Sequence, residues 1–191
     1  MIGPLVWEPP GQAVEPPPGD KPLVLVAPST SQDPDMKLVR AALGGLAGLP
    51  VRVLATSNRP LGSARPRVPD NARLVEWLSY SAAMPLADVV VCHGGHGTLA
   101  RALACGVAVV AVPHAGDMAE NGMRLQWAGA GLSLPGPLLG ARSLRWVVEH
   151  VLEEPRFRRR AGELAEWSRR NDAGESAASL VERFARARAM P

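Results

Sequence analysis

The residues of this chain whose types and spacing can do chemistry are concentrated between positions 88 and 121. An apolar run, Val89-Val90-Val91-Cys92, leads into His93-Gly94-Gly95-His96-Gly97-Thr98. A short helical pattern follows, then Gly106 and a second apolar run from Val107 to Val112. The segment closes with Pro113, His114, Asp117, Met118 and Asn121. A glycine turn at the carboxyl end of a buried strand leaves the first N–H groups of the next helix without intrahelical partners and aimed outward. Such donors attract an anion, most often a phosphate. Two imidazoles and a threonine hydroxyl on the turn add hydrogen-bonding side chains to that backbone cradle, more than a tight turn requires for itself.

Three classes of sequence put glycines in such a place. A Walker-type loop needs a lysine after its last glycine, and none follows Gly97. The dinucleotide pattern G-x-G-x-x-[GA] is met by Gly95, Gly97 and Ala100. It belongs, however, at the first strand–helix turn, answered by an acidic residue for the ribose. Here the turn follows the fourth predicted strand, and no acidic residue ends the next one; an NAD-binding module is therefore the weaker reading.

The third class matches the whole segment. The run resembles the nucleotide-sugar-binding signature of GT-B-fold glycosyltransferases of the glycosyltransferase 1 family, whose bacterial members often read H-G-G-x-G-T…G-V-P…P…D-Q-x-x-N. The matching positions are His93 to Thr98, Gly106-Val107-Ala108, Pro113, and Asp117 to Asn121. The likeness extends upstream to Trp77-Leu78-Ser79-Tyr80 and to Val24 through Thr30, and it is strongest with actinobacterial natural-product transferases. It implies the C-terminal, donor-binding half of a GT-B enzyme, with a TDP- or UDP-sugar as ligand, no metal and no further cofactor.

The resemblance also implies roles. Trp77, on a loop at the carboxyl end of a strand, is expected to stack on the base, with a place in the core as the alternative. Ser29 and Thr30 offer hydroxyls to a phosphate. His93, with the backbone of Gly94, Gly95, His96, Gly97 and Thr98, holds the pyrophosphate, with His96 contributing backbone more than imidazole. Asp117, Met118 and Asn121 line the sugar. The base that deprotonates the acceptor is expected in an N-terminal acceptor-binding domain, so no catalytic residue is assigned to this chain, and the chain alone is expected to be inactive. A non-catalytic partner that only binds a nucleotide sugar would keep the same site.

This chain departs from the family's pattern at Met118, where the family has glutamine, and at Arg101, where plant members carry a glutamate for the ribose. Arginine accepts no hydrogen bonds. Both changes favour a deoxysugar on a deoxyribose nucleotide, with a TDP-deoxysugar as the expected donor.

The elements that must position these groups alternate along the chain. Strands are predicted at 23–27, 51–55, 73–75, 88–92, 107–112 and 131–134, and helices at 34–47, 98–105, 120–128, 142–152, 156–170 and 175–188. That alternation predicts an α/β fold, a Rossmann-like parallel sheet with helices on both faces. Ligands of such sheets gather at the carboxyl ends of the strands. Asp33-Pro34-Asp35 has the look of a metal motif, but it reads as a helix start, with Asp33 as cap and Pro34 at the first helical position.

Composition bounds the rest. The chain has 191 residues and a formal charge of +3, with lysine only at positions 21 and 37. Its arginine runs lie beside glutamates on helical patterns, which reads as a solvated face and not a nucleic-acid surface. Cys92 and Cys105, both in apolar contexts, read as reduced thiols of a cytoplasmic protein. No apolar run of roughly 18 residues is present, so no membrane span is expected. Residues 1–22, rich in proline, are expected to be an interdomain linker, with 23–191 as the donor-binding domain. The last helix offers Ala178, Val181 and Ala185 on one face, expected to meet the acceptor domain or, in isolation, a second copy.

Overall fold

The computed structural model describes residue 8 and residues 11–31, 33–62 and 65–188, with only the backbone of Arg188. Met1 to Trp7, the first part of the predicted linker, lie outside these residues. Six strands, β1 (Leu23–Ala27), β2 (Arg52–Thr56), β3 (Ala72–Val75), β4 (Val89–Cys92), β5 (Ala108–Ala111) and β6 (Gly131–Ser133), form one sheet in the order β3-β2-β1-β4-β5-β6. All pairings are parallel.

Continuous apolar runs such as Leu23-Val24-Leu25-Val26-Ala27 are what a sheet covered on both faces requires. Successive side chains go to opposite sides. Val24, Val26, Val53, Val89, Val91 and Val110 pack beneath α1 (Lys37–Gly45) and α5 (Ala141–Glu153). Leu23, Leu25, Leu54, Val90, Cys92 and Val109 pack on the other side. There they meet α2 (Tyr80–Ala83), α3 (His96–Ala104), α4 (Met118–Ala128) and α6 (Pro155–Arg170). Helix α6 joins the two layers, since Phe157 belongs to the first core and Ala161 to the second. The Rossmann-like expectation is thus met in class and in strand number.

The strand order has one functional consequence. From β1 the chain winds outward through β2 and β3, then returns to place β4 on the other side of β1. The connections after β1 and β4 therefore diverge and open a crevice at their carboxyl ends.

Several boundaries differ from expectation. Helix α1 starts at Lys37, and Pro34 lies in the turn before it, not at the first helical position. Asp33 still caps the helix, its two carboxylate oxygens accepting from Lys37 N at 2.8 Å and Leu38 N at 3.0 Å. It does so from farther back because Met36 takes the left-handed conformation, φ 52°, between cap and helix. Helix α3 begins at His96, two residues early, and the short helix α2 was not expected.

Where the structure describes it, the proline-rich stretch lies along the domain. Residues 11–22 form no helix or strand, yet they are strapped to the domain. Ser79 N donates to Gln12 O (2.9 Å), Arg73 Nη1 to Glu15 O (2.9 Å) and Arg52 Nη1 to Pro17 O (3.2 Å). Val14 packs on the second core. A segment interrupted by prolines cannot pair as a strand, but its carbonyls remain good acceptors for long arginine side chains. At the other end, α7 (Ala173–Arg188) exposes Leu180, Val181 and Phe184.

Candidate functional site

The centre of the crevice is the turn after β4. The His93 ring is half-buried, and its Nδ1 lies 3.4 Å from the carbonyl oxygen of Ala27, the last residue of β1. The imidazole thus bridges the two strands that flank the crevice. Gly94 has φ 83°, a conformation that costs a residue with a Cβ, and a Cβ there would also meet Met118 O at 3.1 Å. At Gly95 a Cβ would fall 2.3 Å from His93 Nε2, so the missing side chain is what lets the imidazole lie over the start of α3. Gly97 differs from both: it is helical, and a Cβ there would meet nothing within 4 Å. Neither conformation nor packing within the chain demands glycine at that position, and glycine costs a helix about 1 kcal/mol relative to alanine. The first helical hydrogen bond of α3 is Leu99 N to Gly95 O, which puts the N–H groups of His96, Gly97 and Thr98 ahead of it.

Burial pushes the His93 pKa below its ordinary value of 6.5, and the charge of His114 adds to this. The Ala27 carbonyl and the Asp117 carboxylate oppose it without reversing it. His93 is therefore neutral at pH 7. A hydrogen bond to Ala27 O assigns the single proton to Nδ1, which leaves Nε2, over Gly95 at the start of α3, as an acceptor.

Asp117 is exposed at the start of α4. Asn121, one turn on, donates from Nδ2 to Asp117 Oδ2 at 3.0 Å and to Gly94 O at 3.1 Å. That amide fixes the carboxylate and ties α4 to the glycine turn. Met118 is half-buried against Gly94. Of the predicted residues, the structure thus brings His93, Gly94, Gly95, Asp117, Met118 and Asn121 together. His96 is exposed on the first turn of α3, and Thr98 is half-buried.

The loops after β1, β2 and β3 enclose a cavity of about 470 Å³ lined by Glu8, Gly11, Gln12, Thr30, Asn58, Trp77, Leu78 and Tyr80. Trp77 is 57% exposed, which removes it from the core and leaves an indole face at the cavity. The two predicted hydroxyls separate here. Thr30 is exposed on the cavity wall, whereas Ser29 is buried, its Oγ accepting from Ser31 N at 3.4 Å.

Three residues of this side, Asn58, Glu8 and Ser81, went unnoticed in the sequence. Asn58, at φ 52° and buried, donates to Pro28 O and to the Tyr80 hydroxyl, both at 2.8 Å, and so links the β1, β2 and β3 loops. Burial pushes the Tyr80 phenol well above its usual pKa. Glu8 accepts from Tyr80 N (2.5 Å), from Ser81 N (2.9 Å) and from Ser81 Oγ, and pairs with Arg101 Nη1 at 3.2 Å. Burial raises the Glu8 carboxyl, but the Ser81 and Tyr80 hydrogen bonds and the Arg101 charge outweigh it and hold the group below its usual range. Arg101, which stands where plant members carry a glutamate for the ribose, is paired with Glu8, and both side chains are only about 15% exposed. Glu8 and Arg101 are too far apart in sequence for any local motif to announce them.

A second cavity at the carboxyl edge, about 590 Å³, lies between α1 and the loops after β5 and β6, with His114, Lys37 and Arg40 on its wall. A third, about 670 Å³, sits at the amino ends of β2 and β3, away from the crevice. His150 is stacked on Trp146, centroids 5.6 Å apart, and meets the edge of Phe157; it is a packing residue. Among the described residues no group of three or more potential metal ligands occurs, and no helix is long and apolar enough to cross a membrane.

A six-stranded parallel sheet in this order, with a glycine–histidine turn at its switch point, is the architecture of the C-terminal half of GT-B glycosyltransferases. The chain belongs to the family described as erythromycin biosynthesis protein CIII-like, C-terminal domain, which it matches over residues 40–182. It is 35% identical over 162 residues to 4'-demethylrebeccamycin synthase of Lentzea aerocolonigenes, covering 85% of this chain and 38% of that protein. Among solved structures, it superposes on the calicheamicin glycosyltransferase CalG4 with a TM-score of 0.84 and 25% identity, over 100% of this chain and 48% of that one. The glycosyltransferase VinC, solved in complex with DTDP, matches with a TM-score of 0.72 and 25% identity, over 90% of this chain and 44% of that one. The chain therefore spans less than half the length of these proteins.

Proposed function

We propose that this chain binds the donor of a glycosyl transfer, a nucleoside diphosphate sugar, and stabilises the diphosphate as the bond to the sugar breaks. One observation carries the reading: His93 bridges the ends of β1 and β4 and lies over the start of α3, where Gly97 leaves open space. An anion seated there faces the N–H groups of His96, Gly97 and Thr98 and the Thr30 hydroxyl. VinC, which carries DTDP, supports a thymidine nucleotide as the ligand class.

The chemistry follows from charge. When the bond from the anomeric carbon to the diphosphate oxygen breaks, its electron pair stays on that oxygen and negative charge grows there. Preorganised donors in a partly dry cleft are worth a few kcal/mol at such a point. His93 joins them by taking a proton on Nε2, which converts that atom from acceptor to donor while Nδ1 keeps its hydrogen bond to Ala27. A bound diphosphate favours the imidazolium by its own charge. Asp117, held by Asn121, accepts from sugar hydroxyls, and the Met118 thioether suits a sugar carbon that lacks one. Trp77 stacks on the base.

The acceptor pocket and the base that deprotonates the acceptor belong, in this reading, to an N-terminal acceptor-binding domain. The exposed apolar side of α7 suits contact with it. Residues 23–191 act as the donor-binding unit, and the strap ahead of them as its connection. Calorimetric titration tests the reading: TDP and UDP should bind the purified chain, and NADH should not. Preference for NADH, or no binding of either diphosphate, overturns it.

A further inference from the structure

The cavity enclosed by the loops after β1, β2 and β3 contains a carboxylate that the residues of the glycine turn do not supply. Glu8 comes from the N-terminal strap, yet it lines the cavity together with Trp77 and Thr30. Its Oε2 is filled by Ser81 N, Ser81 Oγ and Arg101 Nη1. Its Oε1 accepts one hydrogen bond among the described residues, from Tyr80 N. A carboxylate oxygen accepts two, so one site on Oε1 is open. The group is fixed on both oxygens, so it meets a ligand with little rotamer entropy left to lose. The Arg101 charge offsets that of Glu8, so an acceptor is presented without net negative charge near a bound diphosphate.

We infer that Glu8 is a specificity-determining residue of the donor site, its Oε1 accepting a hydrogen bond from the ring hydroxyl of the nucleoside. The inference rests on the nucleotide-binding reading above. An exposed indole face and a fixed carboxylate in one cavity match a ligand that joins an aromatic base to a hydroxylated ring. In a TDP donor that ring carries one hydroxyl, at the 3' position. The N-terminal strap is then part of the binding site and not only a tether.

The test compares TDP with 3'-deoxythymidine diphosphate by calorimetry on the unmodified chain, on Glu8→Ala and Glu8→Gln, and on Ser81→Ala. The unmodified chain should bind TDP about tenfold more tightly than the deoxy analogue, the usual scale for one hydrogen bond to a charged group. Glu8→Ala should bring the ratio close to one even if both affinities fall through loosening of the strap. Glu8→Gln should leave an intermediate ratio, and Ser81→Ala, which keeps the carboxylate, should retain most of it. Because a ratio is read, a purely structural role, which would weaken both ligands alike, is told apart. Equal affinities for the two diphosphates in the unmodified chain, or a tenfold ratio that survives Glu8→Ala, overturns the assignment and leaves the nucleotide-binding reading standing. If the unmodified chain binds neither, that reading fails and the role of Glu8 with it.

Discussion

The two flanks of the crevice are built on opposite logics. On the β4 side, the turn from His93 to Thr98 keeps groups that its own fold leaves spare: an imidazole whose acceptor nitrogen lies over the start of α3, helix-start N–H groups, a glycine facing open space. On the β2–β3 side, Asn58, Tyr80, Glu8, Ser81 and Arg101 bond mainly to one another and to backbone across three loops. One flank keeps donors available for a ligand, while the other spends them on shaping a wall. Substitutions should therefore divide by what they mainly damage, binding on the first flank and, Glu8 and its ligand contact apart, stability on the second.

The largest effect is expected on the shaping flank. Asn58→Ala removes the donors to Pro28 O and the Tyr80 hydroxyl at a buried site and puts alanine at φ 52°. Unsatisfied buried groups cost about 1–3 kcal/mol and the left-handed backbone about 1 kcal/mol more. A loss of about 3 kcal/mol is expected by denaturant unfolding. A loss below 1 kcal/mol would show that the wall does not depend on this side chain, and the division between the flanks would fail.

The next effect lies on the binding flank. His93→Ala should weaken TDP binding by about 1–3 kcal/mol, the range for a hydrogen bond to a charged group, while the exposed His96→Ala changes it little. The pH dependence sharpens this. The folded pKa of His93 lies below its ordinary 6.5, with Asp117 and His114 as the charges that face it. For the ligand-free chain, its contribution to stability is complete above 6.5 and is lost as pH falls through the depressed folded value, because the unfolded chain takes the proton more readily. Affinity for TDP should move the opposite way and rise as pH falls below 6.5, since the imidazolium is the binding form. Calorimetry against pH, with His93→Gln as reference for the ligand's own titration, reads the difference. Parallel profiles for the two proteins would remove His93 from the phosphate contact.

The same contrast explains what was legible in the sequence. The binding flank is written locally: Cys92 ends a buried run, glycines follow at once, and Asp117 and Asn121 share a helical turn. The sheet was legible for a similar reason, since runs like Val89 to Cys92 have no polar residue to place and must be covered on both faces. The shaping flank is written across loops. Glu8 meets Ser81 across 73 positions, and nothing in the residues around Glu8 foretells an ion pair with Arg101. Helix α2 escaped because Tyr80 to Ala83 is a single turn that Pro85 keeps from continuing. The start of α1 shifted because Asp33 caps across the turn at Met36, an arrangement that spacing alone does not separate from an ordinary cap.

The smallest expected effect concerns donor choice, and there the two flanks act together. Arg101 had suggested a site poor in acceptors for ribose, but the Glu8 carboxylate beside it supplies one for the 3'-hydroxyl, which TDP and UDP share. The remaining differences are the 2'-hydroxyl of UDP, for which the Arg101 side chain offers no acceptor, and the thymine methyl, worth about 0.8 kcal/mol if it is buried against Trp77 and Leu78. TDP should therefore bind roughly fourfold more tightly than UDP in parallel titrations. On the other flank, Met118 offers no hydrogen bond where the family has glutamine, so a sugar hydroxyl brought there loses its water without compensation. Met118→Gln should raise the affinity for a TDP-hexose relative to a TDP-deoxyhexose and leave the TDP-to-UDP ratio unchanged, because the two discriminations arise on opposite sides of the glycine turn. If Met118→Gln shifted both ratios, base and sugar would be read through one connected surface. If the unmodified chain bound UDP tenfold more tightly than TDP, a second ring acceptor would have to outweigh the methyl, and the deoxynucleotide assignment would be wrong.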